Sequence, residues 1–207
     1  MDGRSEAAGH SGRILLAFVA AAFVLRLPGH LNSGLWFDEI WLLRDSVRVP
    51  LATLLTRFES DNNHPLYSLA AWLSTHALGE AAWSLRLPAV LFGVASIGMM
   101  WRFADRVAPR SEALLATTLL TVSYHHVWFS QNARGYTMLL FWTLAATHFL
   151  VASYESGHRR DWIAYGVCTA LACAGIRCTS PPFQGKGVPP LPAFRPTAPR
   201  EPGTPGP

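Results

Sequence analysis

The chain has 207 residues, of which 50% are hydrophobic and only 14% are charged, and its formal net charge is +4. A soluble globular domain carries roughly a quarter charged residues, so this composition excludes an ordinary soluble domain and indicates a membrane protein. No basic patch is interleaved with aromatic residues in the way that nucleic-acid binding requires, so no nucleic-acid partner is expected.

Five apolar runs predict five transmembrane helices and therefore an all-α polytopic membrane protein. The first run follows the polar sequence MDGRSEAAGHSGR, and a signal peptide is the alternative interpretation. Because Arg26, Leu27 and Pro28 precede the polar loop in place of a clean small-x-small cleavage site, we expect an uncleaved span, with Arg26 snorkelling to the interface. The predicted spans cover residues 14–27, 87–101, 113–129, 136–154 and 162–176.

The arginine patches orient these spans, because cytoplasmic connections of membrane proteins carry an excess of basic residues. They lie on alternate connections: Arg4 and Arg13 before the first span, Arg102, Arg106 and Arg110 after the second, Arg159 and Arg160 after the fourth. We therefore expect an integral protein of the plasma (inner) membrane with a cytoplasmic N-terminus and an extracytoplasmic active site.

The outer segment 28–86 is too long for a simple loop and predicts juxtamembrane helices. Its apolar stretch, residues 65–78, is shorter than a membrane span and opens with Pro65, a residue favoured in the first helical turn. We expect this stretch to lie in the outer interface, where the tryptophans of the segment would also settle. These are Trp36, Trp41, Trp72 and Trp83.

The segment 177–207 differs in kind, since it holds ten of the chain's 15 prolines. Proline at this density prevents helix formation. The chain is therefore divided into a membrane-embedded region, 1–176, and a disordered Pro-rich tail, 177–207. We favour a truncated or frame-shifted end over a natural tail, because the fifth span stops midway.

The sequence LWFDEIW places two adjacent acids, Asp38 and Glu39, in an aromatic setting in the outer segment. Adjacent residues do not share a helix face, so one carboxylate can enter a site while the other points away. Such a carboxylate is a candidate general base for an acceptor hydroxyl. The alternative is a helix start, because acids favour the first turn.

Two further polar groups are expected near the same outer surface. Asp61 and His64 precede the helix that starts at Pro65, with Tyr67 in its first turn. Either Asn63 or His64 simply caps this helix, or the polar group also faces the outer site. Arg134, between spans three and four, lies on the predicted outer side, where basic residues are disfavoured. We therefore expect it to bind an anion, which is either a substrate phosphate or a lipid headgroup. This second group comprises Gln131, Asn132, Arg134 and Tyr136.

No metal site is assigned from the sequence, although a divalent metal is left open as a cofactor. The cysteines Cys168, Cys173 and Cys178 are spaced five apart, unlike zinc ligands, and are expected to be packing residues.

The order DE, N-H-P-L-Y, S-L-R-L-P-A and S-Q-x-A-R-x-Y resembles the C-type integral-membrane glycosyltransferases over roughly residues 35–165. The likeness is to the bacterial branch related to protein O-mannosyltransferases and the lipid A aminoarabinose transferase. Those proteins have His-Pro-Pro where Leu66 replaces the second proline here, and they are much longer than this chain.

The resemblance implies sugar transfer from a polyprenyl-phosphate donor to a glycan, lipid or protein hydroxyl on the outer face, among membrane lipids. Asp38 would be the catalytic carboxylate with Glu39 in support, and Arg134 would face the donor phosphate. The substrate-binding residues are then Asp61, His64, Tyr67, Gln131, Arg134 and Tyr136. Two alternatives stay open: a non-catalytic transporter or structural subunit, and a non-functional fragment in which the chemistry is lost.

The predicted topology can be tested by cysteine labelling in cells, with the native cysteines replaced. An impermeant thiol reagent should label Ser60→Cys in the outer segment and should leave Ser111→Cys, beside the second arginine patch, unlabelled. Labelling of Ser111→Cys without Ser60→Cys would contradict the orientation.

Overall fold

The computed structural model describes residues 2–32, 34–56 and 64–175, with side chains in the first range from residue 12 to 28. Asp61, Cys178 and the whole segment 177–207 lie outside the described residues. Within the described ranges all regular secondary structure is helical, as the sequence predicts.

Nine α-helices follow one another along these ranges, with one π-helical turn at 43–47 between the second and third. They are α1 (Asp2–Asn32), α2 (Phe37–Leu42), α3 (Leu51–Thr56), α4 (Pro65–Leu78), α5 (Ala82–Val107), α6 (Arg110–Val122), α7 (Tyr124–Ser130), α8 (Tyr136–Ser156) and α9 (Arg159–Gly175). The predicted interfacial helix is confirmed as a helix with its predicted bounds, in α4.

The predicted spans 14–27, 87–101 and 136–154 each lie within one helix, and the fifth lies within α9 as far as residue 175. Among the described helices, α5 and α8 have both the length and the hydropathy to cross a membrane. The third predicted span, 113–129, was wrong as a single helix, because the chain breaks between α6 and α7 at Ser123. The backbone of Ser123 leaves the helical region, and its side chain accepts a hydrogen bond from the amide of His126. Serine is a favoured helix N-cap, so it starts a second helix there.

Helix α5 is the centre of the bundle and packs against α1, α4, α6, α7 and α8. Small buried residues on α5 let the neighbouring backbones approach closely. Thr137 on α8 donates to the carbonyl of Ala89 at 3.0 Å, and Ser96 donates to the carbonyl of Thr137 at 3.3 Å. These hydrogen bonds fix α8 against the half of α5 that lies nearest the candidate site.

Arg26 does not snorkel to the interface as expected, because its side chain is fully buried between α1 and α7. It donates to Ser130 Oγ at 3.1 Å, to His126 Nδ1 at 2.6 Å and to the carbonyl of Ala22 at 2.7 Å. A guanidinium inside a helix bundle must have its donors satisfied. Folding therefore surrounds Arg26 with acceptors, and the arginine holds α7 to α1.

Gly93 on α5 makes this junction possible, because a Cβ atom there would lie 2.2 Å from Ser130 Oγ. We predict that Gly93→Ala destabilises the protein by about 1–3 kcal/mol, the usual cost of overpacking. Thermal unfolding in detergent measures the loss. Gly98→Ala is the matched control on the same helix, since its Cβ would meet Leu15 Cδ1 at an ordinary 3.6 Å. Equal melting temperatures for the two variants would contradict the prediction.

Candidate active site

The first turn of α2 carries the two adjacent acids, and the structure separates them as the sequence predicts. Glu39 is buried, whereas the Asp38 side chain is 58% exposed. Both lie at the helix start, where carboxylates are favoured. Glu39 also accepts a hydrogen bond from the amide of Trp36 at 3.0 Å, so the capping interpretation holds for Glu39.

Glu39 forms a buried ion pair with Arg86 near the start of α5. Arg86 Nε donates to Oε1 at 2.8 Å, and Nη2 donates to Oε2 at 2.6 Å. The amides of Trp36 and Ala133 complete the set, the latter donating to Oε1 at 2.7 Å. With two donors on each oxygen, Glu39 is a structural carboxylate that joins three segments of the chain.

Sequence reasoning missed Arg86 as a site residue, although it lies within the S-L-R-L-P-A motif. The available signal was a lone arginine directly before the predicted span 87–101, on the predicted outer side, where the positive-inside bias disfavours a basic residue. Arg86 also donates to the carbonyl of Gly34 at 2.7 Å and so holds the chain that leads into α2.

The anchored amide of Ala133 places Arg134, the next residue, opposite Asp38. The two side chains form an ion pair, in which the Arg134 side chain is 17% exposed. Arg134 belongs to the short connection between α7 and α8. The structure therefore brings together the two residues to which the sequence assigned the acceptor and the donor phosphate.

A cleft of about 150 Å³ opens beside this ion pair and has largely aromatic walls. Such walls, next to a carboxylate and a guanidinium, suit a ligand with both apolar faces and polar groups. The lining residues are Trp36, Asp38, Glu39, Trp128, Phe129, Asn132, Arg134 and Tyr136. Trp128 and Phe129 were not predicted as site residues, although both directly precede the polar group at 131–136.

His64 lies behind the cleft wall, where its ring meets Tyr136 edge to face with centroids 5.2 Å apart. Its Nδ1 donates to the carbonyl of Gly175 at 3.1 Å. Burial lowers the pKa of His64, the hydrogen bond to Gly175 opposes this, and the charge of Arg134 lowers it further. The imidazole is therefore neutral at pH 7 and supports Tyr136.

Two other predicted substrate-binding residues lie away from the cleft. Tyr67 is fully buried in the core and donates to the carbonyl of Leu85 at 2.9 Å. Gln131 donates to the carbonyl of Arg26 at 3.2 Å, which ties the α7–α8 connection to the end of α1. Asp61 lies outside the described residues. Across the described ranges no three or more His, Cys, Asp and Glu side chains group to hold a metal ion.

A family model for dolichyl-phosphate-mannose-protein mannosyltransferases matches residues 62–175, which is more than half of the chain. The chain belongs to this family. The resemblance drawn from the motifs is thereby confirmed, and the protein is a membrane glycosyltransferase by family. No curated protein and no solved structure matches the chain.

The family match begins at residue 62, so Asp38 and Glu39 lie outside it in the sequence. Tertiary contacts nevertheless join these acids to the matched region. Arg86 and Ala133 both lie inside the match, and both hold Glu39. The acidic motif is therefore packed against the mannosyltransferase-like region in the folded protein.

We predict that Glu39→Ala destabilises the protein by about 3–5 kcal/mol, because it removes the carboxylate from a buried guanidinium. Thermal unfolding in detergent measures the loss. Glu80→Ala is the matched control, since Glu80 pairs with Arg48 at the exposed surface and should cost little. Comparable melting temperatures for both variants would argue against a structural role for Glu39.

Proposed function

We propose that the protein transfers a sugar from a polyprenyl-phosphate donor to a hydroxyl acceptor at the outer face of the membrane. The observation that carries this proposal is the pairing of Asp38 with Arg134 at an aromatic-lined cleft, in a chain of the mannosyltransferase family. The arginine pattern supports the outer location, because the basic patches lie on alternate connections of the predicted spans and the cleft residues Asp38 and Arg134 lie on the other connections.

Arg134 is proposed to bind the donor phosphate. Its planar fork matches two phosphate oxygens and its charge stabilises the departing polyprenyl phosphate. The connection that carries it leads directly into α8, a helix with the length and hydropathy of a membrane span. A phosphate bound there would lie where a lipid tail can enter the bilayer.

Asp38 is proposed to accept the proton of the acceptor hydroxyl. The acceptor oxygen then forms a bond to the anomeric carbon, while the bond from that carbon to the phosphate oxygen breaks. The bonding electron pair leaves with the polyprenyl phosphate, and the proton stays on Asp38. A single displacement of this kind inverts the anomeric centre.

The neighbouring residues are proposed to shape and hold this site. Tyr136 lines the cleft and is the predicted substrate-binding residue best placed to contact the sugar, with His64 supporting its ring. Glu39 supports Asp38 through the helix start that they share. Tyr67 and Gln131 act through packing, since each bonds to a backbone carbonyl outside the cleft.

A non-catalytic transporter or structural subunit accounts less well for these observations. Transporters hold their polar substrate sites near the midplane of the membrane. In this protein the acid, the arginine and the aromatic wall gather where α7 ends and α8 begins. Family membership points the same way.

We predict that Asp38→Asn lowers sugar transfer by about 10²–10⁴-fold, the usual loss when a general base is removed. The measurement is transfer of labelled sugar from polyprenyl-phosphate mannose and related donors to hydroxyl acceptors by the chain reconstituted in liposomes. Asp45→Asn is the matched control, because Asp45 is an exposed acid nearby that pairs with Arg44. Near-normal transfer by Asp38→Asn would remove it as the base, and no transfer by the unaltered chain would contradict the proposed function.

A further inference from the structure

The two residues proposed to act on different substrates are partners of each other in the structure. The carboxylate of Asp38 forms an ion pair with Nη2 of Arg134. In the proposed reaction, Arg134 must face the donor phosphate and Asp38 must face the acceptor hydroxyl. Both demands require this ion pair to open.

A carboxylate and a phosphate present the same chemistry to a guanidinium, namely two anionic oxygens that accept its parallel N–H donors. A phosphate group that enters the cleft therefore competes with Asp38 for the fork of Arg134. The phosphate is the stronger competitor once its apolar tail and sugar also gain contacts with the aromatic walls.

The surroundings allow the side chains to exchange partners while the backbone stays in place. Asp38 precedes Glu39 and Arg134 follows Ala133, and these two neighbours are fixed to each other by a buried 2.7 Å hydrogen bond. The Asp38 side chain, in contrast, is 58% exposed and can turn into solvent. Rotation of side chains is therefore enough to open the pair.

We propose that Asp38 and the donor phosphate compete for the same position on Arg134, and that the donor phosphate releases this carboxylate for the acceptor hydroxyl. This inference rests on the proposed function and adds an order to it. Donor binding comes first, because only the donor removes the arginine from Asp38. An acceptor that arrives alone meets a carboxylate already engaged in an ion pair.

The donor-first order predicts that Asp38→Asn, the variant expected to lose sugar transfer, binds the donor phosphate more tightly than the unaltered protein. Without the competing carboxylate, Asp38→Asn should bind the lipid phosphate roughly two- to tenfold more tightly, the range expected when a partly exposed ion pair no longer has to break. If the ion pair had only a structural role, Asp38→Asn should bind the lipid phosphate more weakly, because loss of the pair would leave Arg134 less well positioned.

The test is equilibrium binding of farnesyl phosphate to the purified chain in detergent. Tryptophan fluorescence monitors the binding, since Trp36 and Trp128 line the cleft. Farnesol reports binding through the tail alone. Phosphatidylglycerol serves as the competitor. It should displace farnesyl phosphate from a general headgroup site, and it should displace it only weakly from a site for the donor phosphate. Asp45→Asn controls for the change of net charge and should leave the affinity unaltered.

A second pair of variants isolates the competition. In an Arg134→Ala background the affinity should be weak, and adding Asp38→Asn should give no tightening, because the contested guanidinium is gone. Unchanged or weaker binding by Asp38→Asn alone, no binding by the unaltered chain, or equal tightening in both backgrounds would overturn the proposal.

The outcome is separable from that of the proposed function. Tighter binding by Asp38→Asn in a protein that transfers no sugar would support the competition and reject the enzyme. Transfer by the unaltered chain without that tightening would support the enzyme and reject the donor-first order.

Discussion

The buried ion pair between Glu39 and Arg86 is the interaction on which the candidate site depends. Removing two charges from water costs more than their attraction returns, unless further hydrogen bonds satisfy both groups. The amides of Trp36 and Ala133 and the carbonyl of Gly34 provide those bonds. Because the pair needs all of these partners at once, it draws α2, the start of α5 and the α7–α8 connection to one place.

The site thus contains two acid–arginine pairs with opposite properties. Glu39 and Arg86 are both buried, and each oxygen of Glu39 accepts two hydrogen bonds, so the pair is suited to hold a geometry and poorly suited to exchange partners. Asp38 directly precedes Glu39 in the chain, and Arg134 directly follows Ala133. The Asp38 side chain remains open to solvent. In the proposed exchange of partners, anchoring by the first pair lets the second pair open without moving the backbone.

Contacts elsewhere in the helix bundle support the same arrangement. Arg26 fixes α7 to α1, and Gln131 extends this tie into the connection that carries Arg134. The absence of a side chain at Gly135 matters as well, because a Cβ there would lie 2.9 Å from Nδ1 of His64. His64 can therefore pack against the connection and support Tyr136 at the cleft wall.

The sequence by itself determined the helical class, the bounds of α4, the apolar helices α5 and α8, and the family, because hydropathy, helix starts and motif order are local properties of the chain. The predicted topology also placed Asp38 and Arg134 on the same side of the membrane, and the structure brings the two side chains together. Only the tertiary structure decided that Glu39 is the buried acid, that Arg86 is its partner 47 residues away, and that Arg26 is enclosed. Likewise, Tyr67 and Gln131 bond to backbone carbonyls that no local pattern reveals. Each of these outcomes depends on which distant group satisfies a buried polar atom, and that is settled only when the helices pack.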